Sequence, residues 1–232
     1  MTFLVAEIGV NWDGDFDLAK EVIQQAKNVG CNAVKFQAFN SEMVESHPEK
    51  DRLLKSSITD SNIEKIDKLA KSIGIEWFCT PMYPEAVDLL LPFVKRFKIR
   101  QIDGVPLLEN RTTELLERIL KTDKEVIVSS EKNPKFSKYY LHNNIKWLYC
   151  VPKYPCELID LDFTNLKNFD GFSNHCPNII APLVATIKGA KIVEVHITSD
   201  KSKDFFDNNV SFDYSELKQL TTLIRLAEKI KR

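Results

Sequence analysis

The sequence lacks several features that would assign it to a familiar class. Its five cysteines are odd in number and show no C-x-x-C spacing, which argues against a disulfide framework and favours reduced thiols. No apolar stretch approaches the roughly 20 residues that a membrane-spanning helix needs. The formal net charge of −1 gives no overall attraction for nucleic acid or for an anionic membrane. Any binding of an anionic ligand must therefore depend on individual lysines.

Targeting and linker signals are also missing. The amino terminus, MTFLVAEIGV, has no basic residue before its apolar stretch and no small-residue cleavage site, so we expect a cytoplasmic protein. The chain contains no low-complexity stretch, no proline-rich linker and no break in composition. With 232 residues, of which 44% are hydrophobic, it can bury a full core, and we predict one domain over residues 1–232.

Short apolar or alternating runs recur along the chain and predict β-strands. The segments between them have helical spacing or room for a helix, and two of them, DFDLAKEVIQQAKNVG and SNIEKIDKLAKSIG, close on a glycine suited to a helix C-cap. Strands that alternate with helices indicate parallel pairing through right-handed crossovers. We therefore predict an α/β fold, a compact (β/α)8 TIM barrel with shortened loops, and an open doubly wound sheet is the competing architecture. The predicted strands are FLVAEIGV, AVKFQAF, IEWFCTP, RFKIRQID, EVIVSS, IKWLYCV, GFSNH and IVEVHIT, the segments 134–144 and 157–170 look too short for full helices, and the chain ends inside the helical SELKQLTTLIRLAEKIKR.

Ionisable residues alternate with apolar ones in several of these strands. In IVEVHITSD, Glu194 and His196 share one face, while Val193 and Val195 share the other. A surface strand with one wet face would explain this stretch on its own. Several inward charges in one barrel are harder to explain, because isolated ions in an apolar interior are costly and should be paired or bind a ligand. The same alternation predicts that Glu7 and Gly9 of the first strand, Lys35 and Gln37 of the second, and Ser173 and His175 of the seventh face inward.

Two kinds of site are compatible with these residues. His175 and His196, at neighbouring strand ends, can jointly hold a divalent ion in an open site completed by oxygen or water ligands, and two hydrogen-bonded core histidines are the alternative. Lys35 and Lys98 can surround a phosphate or carboxylate, since lysine is a compact cation, and solvated lysines are the alternative. The hydroxyl groups expected beside these lysines belong to Thr80, Ser129 and Ser173.

The motifs of this chain resemble those of the N-acetylneuraminate (sialic acid) synthase family. AEIGVN is followed by VKFQ, and SNH by EVHIT, at the family spacing, and the likeness runs in family order from Phe3 to the end. The resemblance implies a (β/α)8 barrel that condenses phosphoenolpyruvate with an open-chain N-acylated hexosamine, usually N-acetylmannosamine. The expected products are a nonulosonic acid and inorganic phosphate, and the expected cofactor is a divalent metal, most commonly Mn²⁺, with Mg²⁺ or Co²⁺ as alternatives.

The resemblance also implies roles for individual residues. His175 and His196 would bind the metal, which would polarise the sugar aldehyde. Glu7 would handle the water that adds to carbon 2 of phosphoenolpyruvate after carbon 3 has attacked the aldehyde. These three residues are the predicted catalytic residues. The predicted phosphoenolpyruvate-binding residues are Lys35, Thr80, Lys98, Ser129 and Ser173, and the predicted sugar-binding residues are Tyr154, Asp207 and Gln37.

The chain departs from the family pattern at several positions. Gln101 stands at a phosphate-contacting serine, and Pro152 at an asparagine whose amide contact is lost because proline has no donor. Trp12 and Asp13 replace a histidine and an asparagine in the first loop. The loop after the second strand is shortened, and we expect no match in these 232 residues to the family's carboxyl-terminal antifreeze-like domain, which lends an arginine to a partner's sugar site. Arg100 can supply a substitute charge.

These departures leave alternative functions open. A non-catalytic or partner-dependent relative that binds sugar or phosphate is one, and an aldolase-type lyase using Lys35 or Lys98 as a Schiff-base nucleophile is another. We expect small-molecule substrates, phosphoenolpyruvate and an amino sugar, with no nucleic-acid or membrane partner. A homodimer, if formed, should be a weak one through barrel faces.

Overall fold

The computed structural model describes residues 1–230. Eight parallel strands pair in chain order, and the last pairs with the first, so the sheet closes into a barrel. This confirms the predicted barrel and excludes the open sheet. The strands are β1 Phe3–Gly9, β2 Ala33–Ala38, β3 Glu76–Pro81, β4 Arg96–Ile99, β5 Glu125–Ser130, β6 Ile145–Tyr149, β7 Gly171–Asn174 and β8 Ile192–His196.

The helices surround the barrel but do not follow every strand. As predicted, the β5–β6 and β6–β7 connections contain only short 3-10 segments among the described residues. The β2–β3 and β4–β5 connections each contain two helices. The helices are α1 Phe16–Asn28, α2 Lys50–Ser56, α3 Ile63–Ile73, α4 Pro84–Leu90, α5 Gln101–Leu108, α6 Glu114–Leu120, α7 Ile180–Ile187 and α8 Tyr214–Ala227.

Two predicted boundaries are wrong by at least four residues, and the other strand ends differ by two residues or fewer. The run RFKIRQID does not continue as a strand to Asp103, because β4 ends at Ile99 and α5 begins at Gln101. Asp103 lies in the first turn of α5, where a carboxylate is favoured by the helix dipole, and it binds Arg100. The final helix ends at Ala227 rather than continuing to the last residue, and residues 231–232 lie outside the described part of the chain.

Local signals explain the helix ends that the sequence did predict. Asp15 caps α1 by accepting hydrogen bonds from the backbone N–H groups of the first turn. Gly74 ends α3 in the left-handed region, with a φ of 75°, a conformation that glycine adopts without steric cost. Asp213 and Glu216 form a reciprocal capping box at the start of α8.

The apolar faces of the strands pack against the helices and form the main core. Val34 and Phe36 of β2 are fully buried there, as their alternation with Lys35 and Gln37 predicts. The inward faces carry the polar residues instead. Among residues 1–230, no helix is long and apolar enough to cross a membrane.

Candidate active site

A cavity of about 560 Å³ opens at the carboxyl ends of the strands. The strand register sets its contents, since Glu7 lies opposite both Lys35 and His196, and Ser173 lies opposite Glu194. Side chains of one parity therefore meet at one level of the barrel. All residues that the sequence assigned to catalysis, substrate or metal line this cavity: Glu7, Lys35, Gln37, Thr80, Lys98, Ser129, Tyr154, Ser173, His175, His196 and Asp207.

The pocket floor, defined here as the side chains of Glu7, Lys35, Lys98, Ser173 and Glu194, is a buried ionic network. Lys35 Nζ lies 2.8 Å from Glu7 Oε1 and 3.9 Å from Glu194 Oε1. Lys98 Nζ lies 3.1 Å from the same Glu194 oxygen, and Ser173 Oγ donates to it over 3.0 Å. Each charge therefore has an opposite charge beside it, as burial requires.

Neighbouring polar groups complete the hydrogen bonding of the pocket floor. Lys35 Nζ donates to Thr80 Oγ1 over 3.1 Å, and Lys98 Nζ donates to Ser129 Oγ over 2.8 Å. Gln37 Nε2 donates to Glu7 Oε1 over 2.9 Å. The second carboxylate oxygens of Glu7 and Glu194 are buried and have no hydrogen-bond partner among residues 1–230. These two oxygens are the free acceptors of the network.

The electrostatic environment separates the two buried carboxyls. Burial alone would raise the pKa of Glu194, but Lys35 and Lys98 outweigh it and lower this pKa to about 2. Burial raises the pKa of Glu7 above its ordinary value, and Lys35 only partly opposes the effect. Burial would lower the pKa of Lys35, yet Glu194 and Glu7 together raise it. Glu194 is thus held as a carboxylate and Lys35 as an ammonium ion.

The two histidines lie side by side at the edge of the pocket floor, with ring centroids 5.6 Å apart. His175 Nδ1 donates to the carbonyl of Val151 over 3.1 Å, which leaves Nε2 as its lone-pair nitrogen. His196 Nδ1 faces Asp207 Oδ2 at 3.4 Å, longer than a well-formed hydrogen bond. Burial and the charge of His196 lower the pKa of His175 to about 4, so His175 is neutral at pH 7.

Within the described chain, no three histidine, cysteine or acidic side chains are arranged to hold a metal ion. His175 and His196 both line the cavity and have imidazole nitrogens that can act as metal ligands. A cation bound there would take its remaining ligands from water or substrate, as in an open site.

Asp207 reaches the histidines from the loop after β8. Tyr154 donates its hydroxyl to Asp207 Oδ1 over 2.5 Å, and Asn11 accepts from the Asp207 backbone N–H over 3.0 Å. Gly9 leaves room for this arrangement, because a Cβ there would lie 3.1 Å from Asp207 Oδ2 and 3.2 Å from both Gln37 Nε2 and Glu7 Oε1. Its φ of 55° also suits glycine.

The pocket rim, defined here as Met43, Leu53, Ile102, Tyr154 and Phe206, is formed by loop residues and short helices around the cavity mouth. Apolar side chains predominate, in contrast to the pocket floor.

One arginine holds part of this rim. Arg52 in α2 binds Asp13 through two hydrogen bonds of 3.0 and 2.9 Å and pairs with Glu49 over 3.1 Å. Its guanidinium also lies over the Phe206 ring, 4.7 Å from the centroid, and donates to the backbone carbonyl of Asp204. Arg52 therefore joins the loops after β1, β2 and β8.

Comparison with known proteins assigns this barrel to a family. The sequence profile of the NeuB family matches residues 22–232. The chain belongs to the NeuB family. An uncharacterised protein of Methanocaldococcus jannaschii is 32% identical over 99% of this chain and 72% of its own length. The N,N'-diacetyllegionaminic acid synthase of Legionella pneumophila is 31% identical over 98% of this chain and 72% of its own length.

A solved NeuB-like structure has the same fold. The N-acetylneuraminic acid synthetase of Leptospira borgpetersenii, crystallised with citrate, superposes with a TM-score of 0.84 at 26% identity. The match covers 98% of this chain and 84% of that one. The resemblance inferred from the motifs is thereby confirmed.

The departures from the expected NeuB pattern have structural consequences. Gln101 and Pro152 both line the cavity. Arg100 also lines it, but its guanidinium is bound to both carboxylate oxygens of Asp103, at 2.6 and 3.1 Å. Trp12 is fully buried and donates to the carbonyl of Ser56 over 2.9 Å, so it has a packing role.

Besides the rim residues Met43, Leu53, Ile102 and Phe206, two polar residues of this NeuB site were not assigned a role from the sequence. Glu194 was predicted to face inward with His196, yet nothing in the strand pattern indicated that it contacts both lysines. Asn11 is buried, and besides supporting Asp207 it donates to Ile197 O and Ser211 Oγ, each over 3.0 Å. Its place two residues after β1, close to a strand end, was the available signal.

Proposed function

We propose that this protein condenses phosphoenolpyruvate with an open-chain N-acylated hexosamine to give a nonulosonic acid and inorganic phosphate. The observation that carries the proposal is that two buried lysines and two histidines line the same cavity of a NeuB-family barrel. An anion site beside two imidazole donors suits a reaction between a phosphorylated enol and an aldehyde.

The lysines and their hydroxyl neighbours would bind phosphoenolpyruvate. Lys35 with Thr80, and Lys98 with Ser129, form two cationic groups in the pocket floor that can each bind one anionic end of the substrate. Held there, the substrate would have carbon 3 free to attack the aldehyde carbon of the sugar. Fixing both reactants in one cavity removes much of the entropic barrier to a bimolecular reaction.

The acceptor sugar would bind beside Asp207 and Tyr154, on the histidine side of the cavity. His175 and His196 fit a divalent cation, expected to be Mn²⁺, because each ring directs Nδ1 to a protein partner, Val151 O or Asp207 Oδ2, and would bind the cation through Nε2. The chemistry that such a cation supplies when bound is polarisation of the aldehyde oxygen.

Glu7 would assist the second half of the reaction. Attack by carbon 3 leaves an electron-deficient carbon 2, to which water adds, and the carbon–oxygen bond to phosphate then breaks. Glu7 lines the cavity, and its Oε2 has no hydrogen-bond partner in the described part of the chain, so this oxygen would take a proton from that water. Gln37 and Lys35 hold the other oxygen and fix the orientation of the carboxyl group.

A Schiff-base aldolase is disfavoured by the charges of the pocket floor. An amine nucleophile must lose its proton, whereas Glu194 and Glu7 raise the pKa of Lys35 despite its burial. Borohydride treatment in the presence of a keto acid should therefore leave no covalent adduct. An adduct on either lysine would favour the lyase.

The decisive test is phosphate release from phosphoenolpyruvate by the Mn²⁺-loaded protein with N-acetylmannosamine and related hexosamines, with mass spectra of the products. Release should require both metal and sugar. His196→Ala should abolish metal-dependent turnover and weaken Mn²⁺ binding while circular dichroism stays unchanged. Retention of Mn²⁺ affinity in that variant would refute the ligand assignment. No release with any sugar would favour a non-catalytic relative.

A further inference from the structure

Glu194 occupies an unexpected place in the pocket floor. Two hydrogen-bond donors and a second ammonium group converge on one of its oxygens, Oε1, which lies 3.1 Å from Lys98 Nζ, 3.0 Å from Ser173 Oγ and 3.9 Å from Lys35 Nζ. All three groups belong to the residues predicted to bind phosphoenolpyruvate. A carboxylate of the protein itself thus makes the contacts expected of a substrate anion.

The charges of the pocket floor are balanced without any ligand. Lys35 and Lys98 are countered by Glu7 and Glu194, and all four residues are at most 4% exposed. A ligand carrying phosphate and carboxylate groups therefore enters a region whose cations already have partners. To bind the lysines, the ligand must replace these carboxylates as their ion-pair partners, and the electrostatic cost of this exchange is large in a buried site.

The two carboxylates are not equivalent in this respect. Glu7 Oε1 accepts from Gln37 as well as from Lys35, so it keeps a donor if the lysine turns to a ligand. Within residues 1–230, the partners of Glu194 Oε1 all belong to the set predicted to bind substrate, and Glu194 Oε2 is buried without a hydrogen-bond partner. Glu194 is therefore the group whose contacts a bound anion would replace.

We propose that Glu194 is an internal counter-ion that competes with the substrate's anionic groups for Lys35 and Lys98. This inference rests on the proposed function. Glu194 lowers the affinity of the pocket floor for anions in general. A singly anchored anion such as inorganic phosphate binds weakly and leaves readily after turnover, whereas phosphoenolpyruvate, with two anionic ends, can displace the carboxylate from both lysines.

Glu194→Gln tests this role, because it removes the charge and keeps the shape and the oxygen that accepts from Ser173. Calorimetric titration with inorganic phosphate should show binding at least about tenfold tighter than in the unsubstituted protein, since one close like-charge interaction is removed. The KM for phosphoenolpyruvate should fall, and kcat should fall with it because phosphate is released more slowly. Phosphate affinity that is unchanged or weaker would overturn the proposal.

Asp67→Asn is a matched control. Asp67 is also a buried carboxylate bound to a lysine, Lys71, at 2.7 Å, but it lies on α3 and does not line the cavity. Its substitution should leave phosphate affinity unchanged. Equal tightening in both variants would point to a general effect of net charge and refute a specific role for Glu194.

A second variant, Glu194→Asp, keeps the test possible if Glu194→Gln does not fold. Glu194→Asp keeps the charge but shortens the side chain, so its carboxylate is drawn away from the lysines, and phosphate binding should tighten by a smaller factor. If Glu194 were only a structural counter-ion, its substitution would lower the midpoint of unfolding and would not increase the affinity for phosphate. If the unsubstituted protein turns over phosphoenolpyruvate and neither variant gains affinity, the inference alone fails. If no variant binds phosphoenolpyruvate or phosphate, the proposed function fails as well.

Discussion

The pocket floor consists of strand residues that are almost fully buried, whereas the pocket rim consists of loop and helix residues that are partly exposed. Lys98 and Glu194 are 4% and 3% exposed, while Tyr154 and Ile102 are 45% and 67% exposed. Ionic contacts between floor residues are little screened by solvent, but those at the rim are screened. The same type of contact, a lysine or arginine beside a carboxylate, should therefore have different consequences in the two regions.

The difference between floor and rim suggests that the two parts of the cavity recognise different substrates. Charged groups are fixed by the barrel register in the pocket floor, where phosphoenolpyruvate is proposed to bind. The rim offers apolar side chains such as Met43, Leu53 and Phe206, which suit the acyl and carbon surfaces of an acceptor. Changes to the floor should affect stability and turnover together. Changes to the rim should affect acceptor affinity with little loss of stability.

The largest effect is expected for Lys98→Met. This change leaves Glu194 without its nearest cation in a buried site, and breaking such a pair should lower the free energy of unfolding by about 3 kcal/mol. Turnover should be lost with it. Urea denaturation and the phosphate-release assay measure the two effects.

Lys95→Met is the control for that variant. Lys95 lies three residues earlier on the same segment and is exposed. Its substitution should change the free energy of unfolding by about 0.5 kcal/mol or less. If the free energy of unfolding falls equally in Lys98→Met and Lys95→Met, the buried ion pair does not make the pocket floor more sensitive to substitution than the surface.

A smaller effect is expected from the double variant Lys98→Met with Glu194→Gln. Removing both charges leaves no unpaired carboxylate, so part of the lost stability should return. The double-mutant cycle should give a coupling free energy of about 1–3 kcal/mol between the two positions. If the losses in the free energy of unfolding are additive, Lys35 alone is enough to balance the charge of Glu194.

The sequence predicted the floor better than the rim, for a physical reason. Side chains alternate strictly along a strand, so Glu7, Lys35 and His196 could be assigned to the barrel interior from the pattern alone. Which carboxylate pairs with which lysine depends on three-dimensional distances, and the contacts of Glu194 were therefore not predicted. Rim contacts join residues far apart in sequence without periodicity, as the pairing of Arg52 with Asp13 illustrates.

Among the variants near the cavity, the smallest loss of stability is expected for Arg52→Ala, whose side chain holds part of the rim. The side chain of Arg52 is 28% exposed, so loss of its ion pairs should cost about 1 kcal/mol or less. Because Arg52 joins Asp13, α2 and Phe206, the variant should nevertheless raise the KM for the acceptor several-fold while the KM for phosphoenolpyruvate stays constant.

Arg118→Ala provides a close control for this comparison. Arg118 is 30% exposed and also contacts three carboxylates, those of Glu85, Asp88 and Glu114, but it lies away from the cavity. The two variants should lose similar stability, and only Arg52→Ala should lose acceptor affinity. A parallel rise in both KM values for Arg52→Ala would mean that the rim also orders the floor, and the division between the two regions would then fail.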